Sequence, residues 1–289
     1  MSVLSPSRCI ALALAAALST TACAQGPSSE KTEREAATTE DPAESHTVDG
    51  YTYMTKPVEA KIGPHRFAFP ANYYDDQIGP AIGGGVGLTL MWPELGAAPP
   101  GTRSTRSMSD HHRAISMSID HVDAVPIDDL LQRRTSTQSK TEDGSIERQD
   151  PRNRLDMRRP APEQFGLTPY VIDEDRMTAY SKAYSDQRGR PPVRNPRYED
   201  DWYIARSGGG DTLATFIKCD QPKNGNQGLE IKGATLVSDG ADEVASCSHY
   251  FVDQADSLSV TLFYPSVLLK DWKSIEDAAR DVLFRYKVR

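Results

Sequence analysis

After about residue 50 the chain is written in short runs of alternating apolar and polar residues, the period of strands with one buried face. Val58–Ile62 and His65–Phe69, split by Gly63-Pro64, predict two short paired strands. After Gly83-Gly84-Gly85 comes Leu88–Trp92, with Leu88, Leu90 and Trp92 on one face and Thr89 and Met91 on the other. In Ile115–His121, Ile115, Met117 and Ile119 point inward while Ser116, Ser118 and Asp120 point out. Pro126-Ile-Asp-Asp-Leu-Leu opens a short helix, since proline suits a first turn. The last third predicts strands at Trp202–Arg206, Leu213–Cys219, Leu229–Val237, Cys247–Val252 and Leu258–Tyr264, spaced as an antiparallel meander. A helix closes the chain from about Asp271 to Tyr286. Its Trp272, Ile275, Ala279, Val282, Leu283 and Tyr286 recur at helical spacing and need a sheet to pack on.

The period fails in two places. Residues 23–49 are Ser, Thr, Glu, Ala and Pro with almost no large apolar side chain, which cannot offset the cost of ordering and predicts a disordered tether. As a flexible coil its ends sit roughly 30 Å apart. Residues 135–197 are charged and proline-rich, with Arg152, Arg154, Arg158, Arg159, Pro160, Pro162, Pro191, Pro192 and Pro196. They read as a partly ordered connection, in which Tyr170–Ile172 and Met177–Tyr184 could still form strands. The fold class is therefore α+β, antiparallel sheet with helices on one face, in two comparable strand-then-helix halves at 50–134 and 198–289.

The N-terminus reads as a secretory leader over 1–22. Arg8 precedes an apolar run, Ile10–Leu18, too short for a permanent span, followed by small residues up to Cys23. Cleavage before Cys23 leaves its sulfur for lipid; cleavage after Ala24 reads Ala22-Cys23-Ala24 as an ordinary signal-peptidase site. Lipidation is favoured because it gives the cysteine a purpose, although Thr20 stands where lipoboxes usually carry Leu. Ala24, not Asp, after the cysteine favours the periplasmic face of the outer membrane. The lipid anchor is then the expected membrane contact.

Loss of Arg8 with the leader turns a net charge of −8 into −9, which disfavours nucleic acid and favours a basic partner. With Cys9 in the leader and Cys23 at the processing site, Cys219 and Cys247 remain in an oxidising compartment, most simply as a disulfide. The sharper alternative is a metal pair of Cys247 and His249 on one strand face, but two ligands do not make a site.

No nucleophile elbow, phosphate loop, paired CxxC, HExxH or EF-hand spacing is present. Asp110-His111-His112 is the best catalytic candidate, of the kind seen at metal-dependent phosphoesterase sites. It sits in a Ser-rich stretch without a companion cluster, so a solvated loop is expected. Gly208-Gly209-Gly210 precedes a strand rather than a helix, which favours a hairpin turn over an anion cradle. His65, His121 and His249 alternate with apolar strand positions and read as satisfied sheet histidines.

Four segments together resemble the exported lipoprotein immunity proteins encoded beside antibacterial effectors of type VI and related contact-dependent secretion systems, the Tli family in particular. They are Ile62–Tyr73, Met91-Trp-Pro-Glu-Leu95, the paired Cys219 and Cys247, and Leu269–Glu276. The resemblance implies a non-enzymatic, cofactor-free binder that captures a cognate secreted effector, a phospholipase or wall-degrading enzyme, and plugs its active site. No contact residue carries over, because specificity loops diverge. The residues place the contact surface at about 96–110 with parts of 135–197, where arginines and prolines could present charge to a cleft. A structural envelope lipoprotein is the second expectation, and a metal-dependent hydrolase built on Asp110-His111-His112 the third.

Overall fold

The computed structural model describes residues 45–48, 50–76, 79–80, 84–136, 144–195, 199–208, 210–222 and 225–288. The leader, Cys23 and most of the expected tether lie outside them.

Two hairpins open the described chain: β1 (Ser45–Val48) with β2 (Tyr51–Met54), and β3 (Pro57–Ile62) with β4 (His65–Pro70). The first extends ordered structure into the expected tether, because the backbone of residues 45–48 finds a partner strand just past Gly50. In the second, Gly63 has φ +58°, and a Cβ there would meet the His121 ring at 2.2 Å, so only glycine fits.

β5 (Val86–Met91) and β6 (Ala114–His121) follow, separated by α1 (Met108–Arg113). Then come α2 (Leu130–Arg134), β7 (Arg159–Pro160), β8 (Thr168–Val171) and α3 (Glu174–Arg188). The last third holds β9 (Asp200–Arg206), β10 (Leu213–Asp220), β11 (Leu229–Lys232), β12 (Thr235–Ser238), β13 (Ser246–Asp253), β14 (Leu258–Pro265) and α4 (Trp272–Tyr286).

Eight strands form one antiparallel sheet in the order β5-β6-β14-β13-β10-β9-β8-β7. The join is β14 to β6, with Leu258 opposite His121 and Leu262 opposite Met117. This corrects the two-halves expectation. Both edge strands of the expected halves have an apolar face to bury, and pairing them directly lets one core serve both. The expected single strand Leu229–Val237 is likewise the separate hairpin β11–β12, folded back at Gly233 (φ +64°).

The largest core lies between one sheet face and α4, where Ile217, Cys247, Phe251, Val260 and Leu262 meet Ile275, Ala279, Val282 and Leu283. The β3–β4 hairpin closes that core, with Phe69 edge-on to Tyr286. The opposite sheet face is covered too, by Leu131 of α2 and by Leu155 packing on Trp202, Ile204 and Phe216. Helices therefore lie on both faces, because Phe216 and Ile217 are adjacent, point oppositely and are both fully buried.

Residues 135–197 also depart from expectation. Met177–Tyr184 belongs to a helix, since Met177, Tyr180 and Tyr184 fall three and four residues apart on one face and pack together with Ile146 and Ile172. Asp173 caps that helix by accepting from the backbone of Asp175 and Arg176, and Gly189 ends it at φ +70°. The described residues of this segment are thus part of the fold, held by a small core of their own.

Candidate functional site

Asp110, the first catalytic candidate, is an N-terminal capping residue. Its carboxylate accepts from the backbone N–H of Ser107 at 3.0 Å and from its hydroxyl at 2.7 Å, and the Ser107 oxygen accepts from the Asp110 N–H. That reciprocal cap turns the expected loop into the helix α1. The two Ser107 bonds hold the Asp110 carboxyl below the usual carboxylate range, helped by Arg113. His111 and His112 sit on α1 as exposed and half-buried side chains. Among the described residues no three His, Cys, Asp or Glu side chains are placed to share a metal ion.

The Cys219 and Cys247 sulfurs form a disulfide, their Cα atoms 4.1 Å apart at directly opposite positions of β10 and β13. The metal pair of Cys247 with His249 is thereby corrected, because the Cys247 sulfur is already bonded. His249 is fully buried and spends both ring nitrogens inside the protein. Its Nε2 lies 3.0 Å from Glu276 Oε2 and its Nδ1 3.1 Å from the Tyr264 hydroxyl. A carboxylate only accepts, so Nε2 carries the hydrogen and Nδ1 accepts from Tyr264. Thr215 donates to the same Glu276 oxygen at 2.7 Å, and Arg280 donates to the other at 2.9 Å.

Burial pushes the His249 pKa down, against the pull of Glu276, and the imidazole stays neutral. Burial alone would raise Glu276, but the His249 hydrogen bond and the nearby cationic groups, Arg280 chief among those that stay charged, outweigh it and hold the carboxyl low. Burial also raises Tyr264, which keeps its hydrogen. The ion pair is therefore Glu276 with Arg280, and the histidine is a neutral relay. This network, which the sequence did not flag beyond His249, ties α4 to β10, β13 and β14; Thr215, His249, Tyr264 and Glu276 are buried, while Arg280 reaches the surface.

The middle arginines hold architecture. Arg158, 6% exposed, donates to the carbonyls of Arg152, Tyr170 and Asp200 and stacks 4.1 Å from the Trp202 ring. Burial lowers it to about 10. Arg152 clasps Asp150, Arg154 pairs with Asp156, and Arg194 bridges Glu174 and Glu199. Two adjoining clefts of about 330 and 360 Å³ run between these groups, lined in part by Arg152, Val193 and Lys218. Gly208 and Gly210 turn between β9 and β10 as expected, and Gly209 lies outside the described residues.

The loop between β5 and α1 borders two further cavities. One, about 400 Å³, has Val58, Tyr74, Ala98 and Pro99 in its wall with Asn72 and Arg106; the other, about 560 Å³, shares Ala98, Pro99 and Arg106. Gly101, at φ +75°, admits Tyr53 so closely that a Cβ would lie 2.2 Å from its ring. This is the expected 96–110 surface, and the fold gives it concave relief.

Fold and site together define a disulfide-tied antiparallel scaffold whose buried His249–Glu276 network serves packing and whose loops carry its concave surface. No protein-family description and no curated protein matches the chain. A solved structure does: Smlt3025, an immunity protein of the Stenotrophomonas maltophilia type IV secretion system, is 45% identical, with 85% of this chain and 99% of that one covered and a TM-score of 0.79. The chain belongs to the family of that immunity protein. The Neisseria meningitidis iron-regulated outer membrane lipoprotein FrpD overlaps 78% of this chain and 92% of its own at 8% identity and a TM-score of 0.39, too low to bear on function.

Proposed function

We propose that this chain is an immunity protein that binds and neutralises a secreted antibacterial effector. The observation that carries the reading is 45% identity over 99% of Smlt3025, whose own role is immunity. That relative's type IV system makes a type IV effector a better proposal than the type VI effector implied by sequence resemblance. A membrane- or wall-degrading toxin acting in the periplasm fits the expected export and the disulfide.

The reading is tested by co-expressing the chain with the product of the toxin-type reading frame adjoining its gene, targeted to the periplasm. Restored growth and a stoichiometric complex are expected. Continued killing despite a folded, exported chain contradicts the proposal and favours a structural envelope role. Replacing His111 and His112 together by alanine separates binder from hydrolase. Protection should persist, with at most one contact's worth of affinity lost, roughly 1–3 kcal/mol. Protection abolished while folding and toxin binding survive points to catalysis.

Anchoring is a second proposal. Cys23→Ser should move the protein to the soluble periplasmic fraction or leave it unprocessed; normal processing with outer-membrane partition rejects lipidation.

A further inference from the structure

Two residues in the wall of the cavity beside the β5–α1 loop each carry an unspent polar atom. Asn72 donates from Nδ2 to the Ala98 carbonyl at 2.7 Å, which fixes its amide orientation and leaves Oδ1 buried without a hydrogen-bond partner. Arg106 Nε is also buried and unpartnered. Unsatisfied polar residues in the wall of one partly apolar cavity of about 400 Å³ are the marks of a ligand pocket. Leaving each unmade is costly.

Charge decides the occupant. Arg103 also lines the cavity and donates both terminal nitrogens to the carbonyls of Tyr74 and Asp75. Burial lowers the Arg106 pKa and the neighbouring Arg103 charge lowers it further. Asp110 opposes this from a distance, but its oxygens serve Ser107 and Arg113. Exposed Asp76 is the carboxylate in the lining, set against two guanidinium groups. An incoming anion relieves the repulsion and desolvation together. Met108, 71% exposed, and Tyr53, 41% exposed, lie close by in the chain and in the lining, as an apolar surround for such a contact.

We propose that this cavity is the anchor pocket for the effector and takes one Asp or Glu of an effector loop, its carboxylate on the Arg106 guanidinium beside Asn72. The proposal rests on the immunity reading and names the contact that reading leaves open. The chain's net negative charge pointed to a basic partner; this pocket selects a local acidic residue instead.

The test is calorimetric titration of the purified chain with the product of the adjoining toxin-type reading frame. Arg106→Ala should weaken binding by about 30-fold or more, with Arg106→Lys recovering part of it. Asn72→Asp, which sets a carboxylate against the incoming one, should weaken it by about 10-fold or more. Lys273→Ala on the exposed side of α4 serves as the unaffected control, and thermal melts report folding of each variant. Scanning the effector's acidic residues should find one whose alanine variant is non-additive with Arg106→Ala. If the wild-type chain binds but both pocket variants bind within about twofold of it, or no acidic effector residue couples to Arg106, the pocket assignment falls and the immunity reading stands. If the wild-type chain does not bind, the immunity reading falls and takes the pocket with it.

Discussion

Glu276→Leu is expected to destabilise the protein by about 3–5 kcal/mol, because it removes the one acceptor that satisfies three groups at once. Thr215, His249 and Arg280 all donate to this carboxylate inside a core where Thr215 and His249 are 2% and 0% exposed. A buried donor left without a partner loses its water and gains nothing in return. Glu276→Gln keeps the shape and one acceptor oxygen, and should cost less, roughly 1–3 kcal/mol. Urea unfolding followed by fluorescence measures both. Equal midpoints for Glu276→Leu and wild type would show that the network contributes nothing.

The same network makes stability fall with acid. His249 has a folded pKa below its ordinary 6.5, so the unfolded chain takes up a proton there first as pH drops. Glu276 is held below its ordinary 4.5, with the same consequence at lower pH. The unfolded state binds more protons in both cases, so stability is full above about pH 6.5 and is lost progressively below it. His249→Gln should flatten the upper part of that loss, between about pH 6.5 and 5, as read from urea midpoints at stepped pH. A variant curve parallel to wild type through that window assigns the acid sensitivity elsewhere.

Removing the disulfide with Cys219→Ala and Cys247→Ala should cost about 3.5 kcal/mol, the chain-entropy value for a loop of this size. The bridge spans 28 positions and both cysteines are buried in the largest core, so the paired alanines also leave unfilled volume there. For a domain of this length that corresponds to a fall of roughly 10 °C in melting temperature. The loss should appear in wild type when it is unfolded under reducing conditions, and mass mapping of the oxidised protein should recover one Cys219–Cys247 linked peptide. An unchanged melting temperature in the double variant rejects the stabilising role.

Alternation was enough to locate most strands and the α4 stripe, because each of those elements has one buried face and the period is written in adjacent residues. Met177–Tyr184 was misplaced for the same reason: its buried residues are few, and a charged helix that packs on a satellite core leaves a weak pattern. Asp110 looked catalytic next to two histidines, and Ser107 three residues earlier was the local signal for a cap. Asn72 and Arg106 offered no signal at all. They are 34 positions apart in the chain, and a pocket is a relation between segments that no local window contains.

The sequence by itself determined the antiparallel α+β class, the terminal helix and the cysteine pair, since all three follow from local period or from a count of the cysteines outside the expected leader and processing site. Only the tertiary structure decided that the two expected halves share one sheet, that both sheet faces are covered, and that His249, Thr215 and Arg280 converge on Glu276 with Tyr264 behind the histidine. Strand order, the choice of covering helix and the partner of a buried charge are settled by which long-range arrangement buries the most apolar surface while leaving the fewest polar groups unpaired, and that is a property of the whole chain.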